Sequence, residues 1–148
     1  MAEPAVLVLD ASVVAKWHLQ DEELQDEASA LRAAFGAGRL AVFMPDLARY
    51  EVANLLSLAW QRERLTSAAA RQAAQDFHAL GISFVATPEL ILDAMIAVER
   101  FGCSLYDAVY VSLAEQLSCD LVTADDRLLH RLQGRAPWVR WLGDYKPA

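Results

Sequence analysis

The sequence predicts an α/β fold: a three-layer sandwich with a central, mostly parallel sheet between helices, in a single domain over residues 1–148. Three observations carry that expectation. Apolar residues make up 55% of the chain, enough to bury elements on both faces. The strand-like segments are short, continuous apolar runs, as buried parallel strands require. Those runs alternate with segments of helical periodicity, and that rhythm produces parallel pairing.

The first strand covers 6–9, a β-branched-rich run that ends at Asp10. A short helix follows over 11–19. Leu24, Ala28, Leu31 and Phe35 recur at helical spacing in a helix over 22–35, which Gly36 and Gly38 stop. The second strand is 41–44, closed by Pro45. Asp46 is placed to N-cap a long helix through about Gln61, with Leu47, Leu55, Leu58 and Trp60 in its core set. Thr66 opens another helix that ends near Gly81, and 82–85 is a third strand. In Thr87-Pro88-Glu89, Thr87 is the expected N-cap and Pro88 the first helical residue of a helix that runs to Phe101 and stops at Gly102. Ser104 opens the next helix, through about Leu117. The fourth strand is 120–123, Thr123 caps a helix through Leu132, and 138–142 is a short fifth strand. No internal repeat, low-complexity tract or linker divides the chain.

Four carboxylates stand just after or within the apolar segments: Asp10, Glu51, Asp107 and Asp125. An ionised carboxylate beside buried surface is costly unless it is paired, hydrogen-bonded or bound to a metal. No set of buried-looking Lys or Arg flanks these four. In open α/β sheets, ligands collect outside the carboxyl ends of the strands. Asp10 and Asp125 follow strands directly, Asp107 sits in the first turn of its helix, and Glu51 lies near the start of the helix after the second strand. All four can reach one edge of the sheet. Brought together they repel one another and demand a divalent cation.

Each acid also has a purely structural reading. Asp10 is a suitable N-cap for the following helix. Glu51 is a suitable exposed partner for Arg49. Asp107 stands at the capping-box position after Ser104, although Asp is short for that role. Asp126 stands three residues after Thr123 and suits a capping box there, which leaves Asp125 as the ligand. Two hydroxyls accompany the acids: Ser12, placed to bond a carboxylate or a water on the metal, and Thr123, placed to orient Asp125 or such a water.

Other chemistries lack support. His18, His78 and His130 have no second His or Cys at metal-ligand spacing, so no zinc site is expected. There is no G-x-S-x-G, no G-x-G-x-x-G after the first strand and no Walker A sequence. Arg127, Arg131, Arg135 and Arg140 form a loose basic set, read as a solvated face or as phosphate contacts. Cys103 and Cys119 fit reduced, half-buried helix positions. The first four residues lack a basic signal-peptide region, and charge breaks every apolar stretch well short of a membrane span, so the expected location is the cytoplasm. With 13 basic against 20 acidic residues the net charge is −7, which argues against holding nucleic acid by bulk charge. Removing the four acids leaves −3, and a bound metal would invert the local field.

At these residues the chain resembles a PIN domain, and most closely the VapC-type toxin ribonucleases of bacterial toxin–antitoxin pairs. The resemblance runs over the whole chain, through Val8-Leu9-Asp10-Ala11-Ser12-Val13, Tyr50-Glu51-Val52-Ala53-Asn54, Tyr106-Asp107-Ala108 and Leu121-Val122-Thr123-Ala124-Asp125, in that order. It implies an α/β/α sandwich and a Mg²⁺ or Mn²⁺ site made by Asp10, Glu51, Asp107 and Asp125, with Asp126 as an additional acid. It also implies a homodimer and a cognate antitoxin whose C-terminal segment lies across the active-site groove. Trp17, Leu56 and Trp60 serve either such contacts or ordinary core packing.

The expected activity is metal-assisted hydrolysis of RNA phosphodiester bonds, with Asp10 and Asp107 as direct ligands and Glu51 and Asp125 completing the site or positioning water. RNA recognition would rest on shape and single-stranded segments. Two other classes compete. One is a catalytically inactive PIN-like module that binds protein or RNA. The other is an aspartyl-phosphate enzyme with Asp10 as nucleophile, which usually wants a second acid two residues on, where this chain has Ser12.

Overall fold

Leu7, Val8 and Leu9 are buried from both sides, and that burial makes the first strand the middle of the sheet. The computed structural model describes residues 2–147. Its strands are β1 (Ala5–Leu9), β2 (Leu40–Pro45), β3 (Ser83–Val85), β4 (Asp120–Thr123) and β5 (Val139–Trp141). They lie in the order β3-β2-β1-β4-β5, and every pair is parallel. Val8 stands opposite Phe43 on β2 and Leu121 on β4, so three apolar strands share one layer at the centre.

Between the strands run α1 (Ala11–Val14), continued by a 3₁₀ turn at Ala15–Trp17, and α2 (Gln25–Gly36). The pair α3 (Leu47–Gln61) and α4 (Ser67–His78) follows β2. After β3, a 3₁₀ turn at Thr87–Leu90 leads into α5 (Ile91–Phe101), then α6 (Leu105–Gln116); α7 (Asp126–Leu132) joins β4 to β5. The chain winds outward from β1 to β3, then crosses back to the far side of β1 for β4 and β5. Right-handed crossovers place α1 to α4 over one face and α5 to α7 over the other. The winding reverses between β1 and β4, and the carboxyl ends of those two strands open the crevice where such folds bind ligands.

Helix α6 is the centre of the second layer. Its residues from Ala108 to Ala114 are buried in succession, because it lies on β1, β2 and β4 and carries α5 on its outer side. The α5–α6 junction is tight. Gly102 takes the left-handed conformation (φ 68°) that ends α5. The Arg135 guanidinium donates to the Arg100 carbonyl at 2.7 Å and to the Phe101 carbonyl at 3.0 Å, which satisfies the last turn of α5 from outside the helix.

Several local expectations give way to tertiary contacts. The helix expected over 11–19 is one α turn followed by a 3₁₀ turn, with the Lys16 carbonyl accepting from the Gln25 side chain at 2.8 Å. The next helix begins at Gln25 rather than 22, because Asp21 and Leu24 both take positive φ. Asp46 is itself helical and makes no cap bond; its carboxylate pairs with Arg49 at 3.6 Å. The fully buried residues of α3 are Ala48, Val52, Leu56 and Ala59; of the expected core set, Leu47 and Leu55 pack against the core while half-buried, and Trp60 does not join it. Small residues at both ends of that stripe let the helix approach the sheet closely, and Trp60 is left 47% exposed. Trp17 stacks on Phe35 and donates to the Ala28 carbonyl at 2.8 Å, so it and Leu56 belong to the packing. Thr87 lies inside its 3₁₀ turn, with Ala86 at the cap position. Cys103 and Cys119 are free thiols in the connections on either side of α6, not on helices. No helix among the described residues is long and apolar enough to cross a membrane.

Truncating the fully buried Leu113 of α6 tests this arrangement. Leu113→Ala is expected to cost about 2–5 kcal/mol, seen as a lower urea midpoint at unchanged slope. A loss under about 1 kcal/mol would mean that α6 is not clamped between the sheet and α5.

Candidate active site

Asp10 is the first residue beyond β1 and is 9% exposed. It occupies the N-cap position of α1, yet its side chain makes no cap bond. Its Oδ2 instead accepts two hydroxyl bonds, from Ser12 at 2.8 Å and from Thr123 at 2.8 Å. Each hydroxyl also accepts a backbone N–H from the turn after β4: Ala124 to Ser12 at 3.1 Å, and Asp125 to Thr123 at 3.0 Å. Two hydroxyl bridges therefore stitch the end of β1 to the end of β4 and saturate one oxygen of Asp10. Thr123 acts on Asp10, not on the Asp125 carboxylate, and it does not cap α7.

Asp125 is the N-cap of α7, with its Oδ1 accepting from the Arg127 N–H at 3.0 Å. The expected division, with Thr123 and Asp126 sharing a capping box, is thus corrected: Asp125 performs the cap. The extended Thr123 backbone keeps its hydroxyl at the strand seam and out of reach of the helix. Asp126 is exposed and is not among the charges that act on Asp10, Glu51 or Asp107.

Glu51, in the second turn of α3, accepts a 2.7 Å bond from the Tyr110 hydroxyl. Arg49 does not pair with it; that guanidinium lies over the Phe84 ring at 3.8 Å and pairs with Asp46. Asp107 donates its N–H to Ser104 Oγ at 3.1 Å, which is the cap half of a capping box. Tyr110 is the partner of these acids that the sequence reading missed. The signal was present, since Tyr110 stands three residues after Asp107 and so shares its helix face.

The four acids sense one another. Asp10 and Asp107 each interact with the other three, whereas Glu51 does not sense Asp125. Burial is the main cause that raises Asp10, Glu51 and Asp107 above the ordinary carboxylate range, and their like charges add to it. Glu51 rises from 4.5 to about 7, even with the Tyr110 bond holding it down. Among the described residues no Lys or Arg forms an ion pair with Asp10, Glu51 or Asp107. The loose basic set touches the acidic rim only at its edge: Arg127 stands 3.9 Å from the Asp125 carboxylate, and the Arg131 charge draws Asp107 down without forming an ion pair with it. Arg135 caps α5, Arg131 reaches the Gly102 carbonyl at 3.5 Å, and Arg140 pairs with Asp120 at 3.5 Å.

An all-oxygen, mutually repelling donor set of this kind fits a hard divalent cation such as Mg²⁺ or Mn²⁺ in chemistry and in place. The distances are looser than the chemistry. Among the described residues no three acidic side chains converge closely enough to enclose an ion. The fold thus brings the four acids to one rim without closing them into a ligand cage.

Comparison with known proteins agrees with this architecture. The PIN domain family model matches residues 7–134. Ribonuclease VapC9 of Mycobacterium tuberculosis is 37% identical over 132 residues, covering 89% of this chain and 95% of its own. Ribonuclease VapC3 of Pyrobaculum aerophilum is 34% identical, covering 84% and 93%. Among solved structures, PAE2754 from Pyrobaculum aerophilum superposes with a TM-score of 0.69 at 21% identity, covering 94% of this chain and 90% of its own. VapC20 of Mycobacterium tuberculosis, described as a Sarcin-Ricin loop cleaving toxin, gives 0.62 at 15% identity, covering 84% and 93%. VapBC2 from Rickettsia felis, bound to a DNA fragment from their promoter, gives 0.58 at 11% identity, covering 92% and 96%. The fold and these relatives together show that the chain belongs to the PIN domain family, as a VapC-type member.

Proposed function

We propose that this chain is a Mg²⁺- or Mn²⁺-dependent endoribonuclease, the toxin of a toxin–antitoxin pair. The observation that carries the reading is Asp10. It is a buried carboxylate at the sheet's switch point, fixed by two hydroxyls, repelled by three further acids and lacking a cationic partner. The ribonuclease relatives supply the substrate class.

In this reading Asp10, at the end of β1, and Asp107, in the first turn of α6, hold the ion. Ser12 and Thr123 keep Asp10 from rotating and leave its second oxygen for the ligand role. Glu51, anchored by Tyr110, and Asp125, anchored by its cap bond, complete the site or position the attacking water. A bound ion supplies activation of that water and stabilisation of charge on the leaving oxygen. The burial of Asp10 and Tyr110 limits bulk solvent on the sheet side of the rim.

The partners follow from the surface. RNA recognition rests on strand shape and unpaired bases more than on bulk charge. Helix α5 turns Leu92, Met95 and Ile96 outward, an apolar face suited to a second copy of the chain. An antitoxin segment lying across the acidic rim would silence the enzyme in the cytoplasm where both are made.

Purified, antitoxin-free protein is expected to cleave RNA in Mg²⁺ or Mn²⁺ and to stop when a chelator is added. Asp10→Asn is expected to slow cleavage by on the order of 10²-fold or more, the several kcal/mol that a metal contributes to a phosphoryl transition state. Chelator-resistant cleavage, or cleavage equal in the variant, would sink the metal-nuclease reading.

Glu51 sets a pH signature. Its folded pKa lies above its ordinary value, so the neutral acid favours the fold. That contribution is complete below about 4.5 and is lost as pH rises through about 7; Asp10 and Asp107 act with the same sign. In chelator, the melting temperature should fall across that window, and Mg²⁺ should restore it increasingly as the pH rises. Tyr110→Phe should push the window upward, because it removes the bond that favours the carboxylate. A melting temperature flat with pH in chelator would show that these acids are not desolvated in solution.

A further inference from the structure

Beside the acidic rim lies a cleft of about 340 Å³ whose lining changes sign. Ser12 and Ala124, the two residues joined at the β1–β4 seam, line one part of it, and Lys16, Arg62 and Arg64 line another. We propose that this cleft is a binding subsite for a phosphate of the RNA strand next to the bond being cleaved, with Lys16 and Arg62 as its contacts. The proposal rests on the nuclease reading above and names how that site holds its substrate.

Lys16 is the central observation. Its side chain is only 11% exposed, an unusual state for a lysine. The burial belongs to the stem: the ammonium keeps solvent access, and its one ion-pair partner among the described residues, Glu22 at 3.9 Å, lies beyond hydrogen-bond reach, which leaves its donors free for a ligand. Lys16 does not serve the acids as a counter-ion, for it is absent from the charges that act on Asp10, Glu51 and Asp107. Apolar residues of α3 line the same cleft, so the lysine stem packs while its charged end faces the opening. The site is also held in shape. Arg64 donates to Glu22 at 2.8 Å and to the Gln20 carbonyl at 3.0 Å, which pins the loop before α2 against the end of α3. Arg62 is exposed and forms no ion pair among the described residues.

Three cations against Glu22 leave this cleft positive in a chain whose net charge is −7. A polyanionic strand approaching four carboxylates needs such a counterweight nearby. A backbone phosphate fits it: contacts of this kind fix the register of a nucleic acid without reading its sequence.

The test uses Asp10→Asn protein, in which cleavage is expected to be slow, and a fluorescein-labelled single-stranded oligoribonucleotide read by anisotropy in Mg²⁺ between about 50 and 200 mM salt. Lys16→Gln and Arg62→Ala, each added to it, are expected to weaken binding about three- to tenfold on any sequence. Each should flatten the slope of log K against log salt by about 0.7, one phosphate on a single strand. Lys16→Arg should restore the slope, which a merely structural role for Lys16 would not require. Melting temperatures keep folding apart from binding, and exposed Arg62 remains a valid probe if Lys16→Gln unfolds the protein. Unchanged affinity and slope in the folded variants would overturn the subsite. So would variants that keep RNA affinity but lose a co-expressed antitoxin, since the cleft would then belong to a protein partner. No binding by the parent would overturn it as well, and wild-type cleavage of the same oligonucleotide then shows whether the nuclease reading falls with it.

Discussion

One carboxylate at a seam organises this molecule. Asp10 is buried between two apolar strands, and a charge there is tolerable only if donors meet it. Ser12 and Thr123 meet it, one from each side of the point where the chain reverses its winding. Because the same hydroxyls accept N–H groups from Ala124 and Asp125, the turn after β4 is fixed to the end of β1. That turn sets where α7 begins and thus where Asp125 stands. The strand order, the position of the last helix and the shape of the acidic rim share one small set of hydrogen bonds.

The sequence made the middle of the fold easy to read. The apolar runs around Val8 and Leu121 have no polar alternation to mislead, and both became central parallel strands. Chain-terminating signals with a strong local cause were also legible: Gly102 ended α5 and Thr66 capped α4 through the Ala69 N–H. What failed was decided by packing partners distant in sequence. The face α3 turns inward depends on its neighbours α1, α4 and β2, none of which its own spacing reveals. Thr87 looked like a cap, but the extended chain ends one residue earlier, at Ala86, and Thr87 is already the first residue of the 3₁₀ turn. Thr123 was noticed for its hydroxyl, yet its target is 113 positions away in sequence and no spacing rule reveals it. The acids were legible as a set because each sits beside apolar surface; their separations were not, since side-chain distances follow from how helices seat on the sheet.

Charge distribution matters more here than charge total. A net −7 suggests a surface hostile to nucleic acid, but much of that negativity serves particular tasks: the rim, the Asp46–Arg49 pair, the Arg100–Glu115 pair at 3.2 Å, and Glu22 beside Lys16 and Arg64. The surface is a patchwork in which acidic and basic neighbourhoods adjoin. Such adjacency gives a strand a direction of approach that the net charge conceals.

The bond between Thr123 and Asp10 also bears on synthesis. It joins residues near opposite ends of the chain, and β4 cannot pair with β1 until most of the sequence has been made. A ribosome that has released only β1 to β3 holds a polypeptide in which Asp10 lacks its Thr123 partner and two of the four acids are missing. For a protein whose proposed substrate is RNA, the translating machinery is the first RNA it meets. Placing β4 late means that the proposed site is completed only when most of the chain has left the ribosome.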